Sequence, residues 1–371
     1  MQASELSSLT SQVLWGGFLL SVLFGFIAQR THFCTMGAVS DIVNMGDWTR
    51  MRQWGLAVGV AMVGFGVLAY GGQIDPAKTL FASNRWTWLS ASVGGTLFGF
   101  GMVLASGCGS KTLVRIGGGS LKSMMVFIVM GLTAFATLKG VTAVLRVATV
   151  DKVGIDIVSG TSLAQWASAS FGMTGPAAAL ACGLVVGGGL LAWAAMGKDF
   201  MNVDNLLAGL GIGGVVVAMW WLSGHLGHIA EHPEILQEAF LATNSGKAEA
   251  LSFVAPLAYT LDWLLFFSDK SKVLTLGIVS VVGVVAGSAA CALVTGTFRW
   301  EGFGSTEDVA NHLVGATLMG IGGVTAMGCT VGQGLSGVST LSATSFVAVA
   351  AIIAGAIAAF KYQVWRLDRM V

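Results

Sequence analysis

Long apolar runs separated by short polar joints make up most of this chain. A helix needs roughly 17–25 apolar residues to cross a bilayer, and such runs fall at about 12–29, 54–71, 89–106, 122–139, 177–196, 205–223, 273–295, 310–327 and 343–360. A tenth run, 252–268, is short and carries Pro256 and Asp262, so it reads as an interfacial or partly inserted helix. The longest polar stretches, 140–176 and 224–251, read as outer loops, with a surface helix at 228–239. The pattern predicts an all-α integral membrane protein of about nine transmembrane helices.

Two of the runs are copies of each other. Residues 93–108 read VGGTLFGFGMVLASGC and residues 314–329 read VGATLMGIGGVTAMGC, identical at ten of sixteen positions without a gap. Each copy ends in Gly-Cys and continues into a Gly/Ser-rich, charge-poor loop before the next apolar run. Internal repeats of this kind mark membrane transporters, whose sites lie where the repeats meet.

Charge placement orients the spans. Arg50 and Arg52 follow the first, and Lys361, Arg366 and Arg369 follow the last. Both groups belong in the cytoplasm by the positive-inside rule, which requires an odd number of spans with the N-terminus outside and the C-terminus inside. Nine spans divide as repeat one (about 12–142), a linker span (about 177–196) and repeat two (about 205–360), all within a single transport domain covering 1–371. The run ending at Cys108 then points inward and its copy outward. The expectation is two inverted repeats whose Gly-rich, broken-helix or re-entrant loops meet near the membrane middle. No Lys or Arg precedes Arg30, so the first run lacks the basic flank of a leader and is read as a retained span.

Composition agrees. Of 371 residues 55% are hydrophobic and only 10% charged, against about 25% charged in soluble domains. Fifty-three glycines suit helices whose backbones pack closely in lipid. A net charge of +1 excludes a strongly basic nucleic-acid face.

Candidate chemistry rests on cysteine. Cys182 and Cys291 lie inside apolar runs and read as small buried hydrophobes. Cys34, Cys108 and Cys329 instead lie at span ends beside glycine or in a broken stretch: THFCTMG, SGCGS and MGCTVG. No C-x-x-C pair occurs, so zinc and thioredoxin-like motifs are absent; spacing alone leaves a disulfide open. Non-helical backbone at membrane depth is tolerated only where protein buries it or it lines a cavity. There, free N–H groups at half-helix starts hold anions, and a neutral thiol adds a soft donor without adding charge. Three such groups along a path suit a sulfur-bearing anion better than a hard cation or a sugar.

These motifs resemble the YeeE/YedE family of bacterial sulphur-compound transporters. The resemblance rests on R30-T-H-F-C34-T-M-G-A-V, on A105-S-G-C108-G-S-K-T-L-V-R115 with G117-G-G-S-L-K, and on G328-C329-T-V-G-Q-G-L-S-G. It implies an hourglass-shaped inverted repeat in the bacterial inner membrane. It also implies inward transport of thiosulfate, contacted through S–H···S bonds by three cysteines that match Cys34, Cys108 and Cys329. A small TusA-like sulfur-carrier protein is the implied cytoplasmic partner, and some relatives are tied to selenium compounds instead.

Four further residues are candidates on the path: Arg30 as an attractor of the anion or an interfacial side chain, Lys111 and Arg115 at a cytoplasmic exit, and Gln333 as a neutral donor. His225, His228 and His232 have helical spacing, but Pro233 interrupts them, and no metal site or cofactor is expected. The G117-G-G stretch lacks the phosphate-loop pattern. The reading is a transporter and not an enzyme, with a membrane thiol enzyme (sulfurtransferase or redox) as the alternative.

Overall fold

The computed structural model describes residues 3–197, 200–233 and 236–369. The apolar runs become helices: α1 (Ala3–Arg30), α2 (Thr35–Met45), α3 (Thr49–Tyr70), α4 (Trp88–Leu104), α5 (Gly109–Gly117) and α6 (Leu121–Lys139). Two short peripheral helices follow, α7 (Val141–Ala148) and α8 (Leu163–Phe171). Next come α9 (Gly175–Ala195) and α10 (Val203–Leu226), each carrying π-helical turns. The chain continues with α11 (Val254–Leu265), α12 (Leu276–Val294), α13 (Thr306–Thr325), the π-helical α14 (Gly332–Gly337) and α15 (Ala343–Asp368).

Among the described residues eight segments are long and apolar enough to cross a membrane, with α11 as a shorter apolar helix. The hydropathy pattern predicts nine. The difference is α13, 20 residues long but opening with Glu307, Asp308, Asn311 and His312. It tolerates those groups because it packs between α4 and α6, and Asp308 is bound to Lys122 at 2.9 Å.

The surface helix expected at 228–239 is not formed. His228–Ile229 pairs antiparallel with Ala239–Phe240, while Glu234 and Ile235 lie outside the described residues. Pro233 breaks any helix there, and Glu238 is held by both Lys78 and His228. A second ribbon joins Arg85–Trp86 to Ile155–Asp156.

The loops gather at two ends. At one, Thr79 bridges Ala248 and Ser162 bridges Ser342. At the other, Ser120 bridges Glu301, and Arg30, Arg50 and Arg366 pair with Asp204, Asp41 and Glu307.

The centre of the bundle is the crossing of α4 and α13, which carry the two sequence copies. A Cβ on Gly94 would lie 2.7 Å from Gly322 O, and one on Gly322 2.6 Å from Gly94 O. Gly101 and Gly315 stand in the same relation, 2.6 Å each way. In the repeat, Gly94 aligns with Gly315 and Gly101 with Gly322. Each position therefore meets the non-equivalent position of the other copy, the reciprocity a two-fold axis produces, and the two helices run antiparallel. No side chain fits at such separations, so glycine is required for the close approach. Gly101→Val should destabilise the fold by about 1–3 kcal/mol or more, read as a lowered unfolding temperature in detergent. Gly302→Ala, where nothing lies within 4 Å, is the control; equal melting of the two variants would refute the tight crossing.

Candidate functional site at the converging helix starts

Three cysteines occupy the same local structure. In each case a helix ends, the residue two before the cysteine takes a left-handed conformation, and the cysteine caps the next helix. The left-handed residues are His32 (φ 52°), Ser106 (φ 56°) and Met327 (φ 58°). Each costs roughly 1–2 kcal/mol as a non-glycine residue, a cost the surrounding hydrogen bonds offset. At α4, Gly107 N–H donates to Met102 O (2.8 Å) and Ser106 N–H to Val103 O (3.2 Å). At α13, Gly328 N–H donates to Gly323 O (2.8 Å) and Met327 N–H to Val324 O (3.0 Å). This is one Schellman closure formed twice, so the repeated sequence encodes a repeated turn.

The thiols are buried: Cys34 is 7% exposed, Cys108 1% and Cys329 0%. All five cysteines are free, so no disulfide forms. Gly37 N–H donates to Cys34 Sγ and Gly332 N–H to Cys329 Sγ, both at 3.4 Å. Each sulfur thus satisfies an orphan donor of the helix it caps, which leaves its own S–H proton to point elsewhere. Cys108 receives no such bond; its sulfur lies 3.3 Å from Ser110 Oγ. Cys108 is within electrostatic range of both Cys34 and Cys329 and so is the common neighbour of the three.

A fourth helix start joins them. Phe253, just before α11, packs against Gly109 and ring to ring with Phe24 (5.6 Å), and its backbone N–H reaches Cys329. Ser252 touches Gly332. The N-termini of α2, α5, α11 and the α14 segment therefore converge, each adding the positive end of a helix dipole. Two further buried donors, Trp54 Nε1 and Thr330 Oγ1, find no hydrogen-bond partner among the described residues. Trp54 stacks on Phe33 at 6.2 Å and lies against Gly334, between the Cys34 and Cys329 motifs. The arrangement is rich in donors, and among the described residues these contacts include no carboxylate, which suits an anion.

The charged candidates separate. Lys111, on α5, lies within electrostatic range of Cys34 and Cys108, and no carboxylate pairs with it among the described residues. Arg115 also lies near the thiols, but its Nη1 donates to Ser106 O at 2.8 Å and so braces the turn before Cys108. Gln333 does the same for the other copy: Nε2 donates to Ala326 O at 2.5 Å, leaving its oxygen, an acceptor, unpartnered. Arg30 pairs with Asp204 on α10 at 3.5 Å and is sensed by Cys291. Cys182 and Cys291 stand apart from the group, within α9 and α12. Among the described residues no His/Cys/Asp/Glu cluster suits a metal ion.

On the side of the loops around Ala248, a cavity of about 270 Å³ reaches Met327 and Gly328, the residues leading into Cys329. Glu249, Ser252, Tyr259 and Arg146 also line it.

A family model for sulphur transport matches residues 30–358. The chain belongs to this family. It is the family the three cysteine motifs resemble. The thiosulfate transporter TsuA of Spirochaeta thermophila is 27% identical over 362 residues, covering 92% of this chain and 97% of that protein. The thiosulfate transporter TsuA of Escherichia coli is 26% identical, covering 87% of each. The probable transporter YedE of Escherichia coli is 30% identical over 110 residues, 30% of this chain and 26% of that one. These relatives are transporters by name, and this chain is a multi-pass helical membrane protein.

Sequence reasoning missed Ser110, Trp54, Thr330 and the Phe253 helix start. Ser110 sits two residues past Cys108, inside the same motif. Thr330 directly follows Cys329 in the same motif, whereas Trp54 and Phe253 come from distant segments.

Proposed function

We propose that this member of the sulphur transport family carries thiosulfate inward across the bacterial inner membrane, handing it from thiol to thiol. The observation that carries the reading is the burial of three cysteines, each two residues past a left-handed turn at the start of a helix, with Cys108 close to the other two. In this path the anion enters through the cavity at Met327, meets Cys329, passes Cys108 and Cys34, and leaves toward Lys111 and Arg50. Neutral thiols donate S–H to its terminal sulfur, while the four helix starts offset its charge. A thiol in apolar surroundings keeps its proton at neutral pH. A dianion beside it opposes thiolate formation further. Arg115 and Gln333 act by bracing the turns that aim Cys108 and Cys329. A small TusA-like sulfur carrier at the basic end is the proposed acceptor.

Proteoliposomes holding the purified chain should accumulate labelled thiosulfate, and empty liposomes should not. No uptake at any thiosulfate concentration would sink the reading.

The proposal includes inverted repeats, supported by the antiparallel, reciprocal crossing of α4 and α13. It also includes an outer N-terminus and a cytoplasmic C-terminus, because the end of the bundle holding Arg30, Arg50, Arg52 and Arg366 is the basic one expected to stay inside. Reporter fusions should place the start of α1 outside and the end of α15 inside; finding both on one side would refute this orientation.

A further inference from the structure

The cavity that leads to Cys329 contains a carboxylate that the thiol path does not use. Glu249 lines it together with Ser252, Tyr259 and Arg146. Its backbone is pinned on both sides by Ser223: Glu249 N–H donates to Ser223 Oγ at 3.2 Å, and Ser223 Oγ donates to Glu249 O at 2.5 Å. Its side chain accepts from Ser245 Oγ at 2.9 Å. The group is densely surrounded yet keeps contact with solvent through the cavity. Among the described residues no cation pairs with it. Arg146, which shares the cavity, is held by Asp151 at 3.2 Å.

Several other charged groups on the surrounding elements are engaged elsewhere. Lys247 Nζ donates to Ala82 O at 3.3 Å. Lys78 and His228 share Glu238. Tyr259 on α11 is a neutral phenol at physiological pH. His225 stacks against Trp221 on α10, and Lys139 follows Leu138 at the end of α6. Glu249 is therefore a carboxylate with no ion pair among the described residues, lining the cavity through which the anion is proposed to enter.

We propose that Glu249 is the proton-binding site of this transporter: it must be protonated for the anion to occupy the cavity, so admission of each anion takes up a proton. This rests on the transport reading above. Burial pushes the Glu249 carboxyl up to about 7, against the hydrogen bonds from Ser245 and the Asn244 backbone. The group is thus charged above that pH and neutral below it. An arriving dianion raises it further, because like charges repel. Binding therefore strengthens as the pH falls through neutrality, while thiosulfate itself stays a dianion.

The test uses the full-length chain and thiosulfate. Apparent affinity in proteoliposomes buffered equally on both sides should be about tenfold tighter at about pH 6 than at about pH 8. Titration calorimetry near neutrality, in buffers of different ionisation enthalpy, should record roughly half a proton taken up per anion bound. Glu249→Gln should abolish both effects and hold the acid-side affinity at every pH. Ser245→Ala keeps the carboxyl but removes a donor that favours its charged form, so it should shift the midpoint to higher pH. A wild-type profile flat in pH, or a Glu249→Gln profile like the wild type's, overturns the proposal while leaving transport intact. A chain that neither binds nor moves thiosulfate at any pH overturns the transport reading, and this one with it.

Discussion

Cys108→Ala is expected to abolish thiosulfate uptake in a protein that still folds and inserts. Cys108 is within range of both Cys34 and Cys329, so its loss should interrupt the proposed path. A hydrogen bond to a charged partner contributes roughly 1.5–3 kcal/mol, and 1.4 kcal/mol is about tenfold. Losing this donor alone should lower uptake by about tenfold or more, and breaking the relay should remove the rest. Stability should change little, about 1 kcal/mol, because the Cys108 sulfur caps no backbone N–H. Cys34 and Cys329 differ: their sulfurs accept from Gly37 and Gly332. Alanine at either should therefore lower uptake and also cost about 0.5–2 kcal/mol of cap stability. Serine there should restore the cap without restoring transport, since it lacks the soft donor. Cys182→Ala and Cys291→Ala should transport like the wild type. The measurement is uptake per folded protein in proteoliposomes, beside unfolding temperatures. Wild-type transport by Cys108→Ala would end the relay model.

Sulfate in large excess is expected to compete poorly with thiosulfate. The two anions share charge and approximate shape, so helix dipoles and Lys111 would hold them alike. They differ in one atom: thiosulfate presents a soft terminal sulfur, and sulfate only strongly hydrated oxygens. Discrimination must then come from the three S–H donors and from the cost of stripping water from an anion in a buried constriction. Losing the match at one polarised contact amounts to about 1.5–3 kcal/mol, so sulfate should be weaker by at least about tenfold. Methylating the thiols should block uptake, both by removing the donors and by filling the space beside groups that are at most 7% exposed. Titrating sulfate into thiosulfate uptake, before and after thiol modification, reads both effects. Competition by sulfate equal to that of unlabelled thiosulfate would mean that charge and shape alone are recognised, and the cysteines would lose their role.

Much of this protein is legible along the chain, because helix formation in lipid is a local demand. Every backbone group must be satisfied within its own segment, so apolar run length announces a helix, and all the long runs are helical. The three cysteine turns are legible for the same reason. A Schellman closure is made by residues a few positions apart, so copying sixteen residues copies the turn, as at Ser106 and Met327. Family membership follows from those same short motifs.

What depends on distant segments was not legible. Hydropathy could not show that α13 survives its polar opening because α4 and α6 shelter it, nor that Lys122 waits to pair with Asp308. Residue type suggested Arg115 and Gln333 as groups for the anion; that one donor of each also reaches Ser106 O and Ala326 O depends on where the turns place those carbonyls. Arg30 pairs with Asp204, 174 residues away, a partner that no local pattern announces. Phe253 opens the short run read as an interfacial helix and Glu249 lies in a stretch read as outer loop, and only the packing of distant segments brings Phe253 to Cys329 and Glu249 into the cavity at Met327. A segment's hydrogen bonds and hydropathy are written in its own residues. The field at a buried point is the sum of everything packed around it, and that packing exists only once the helices have crossed.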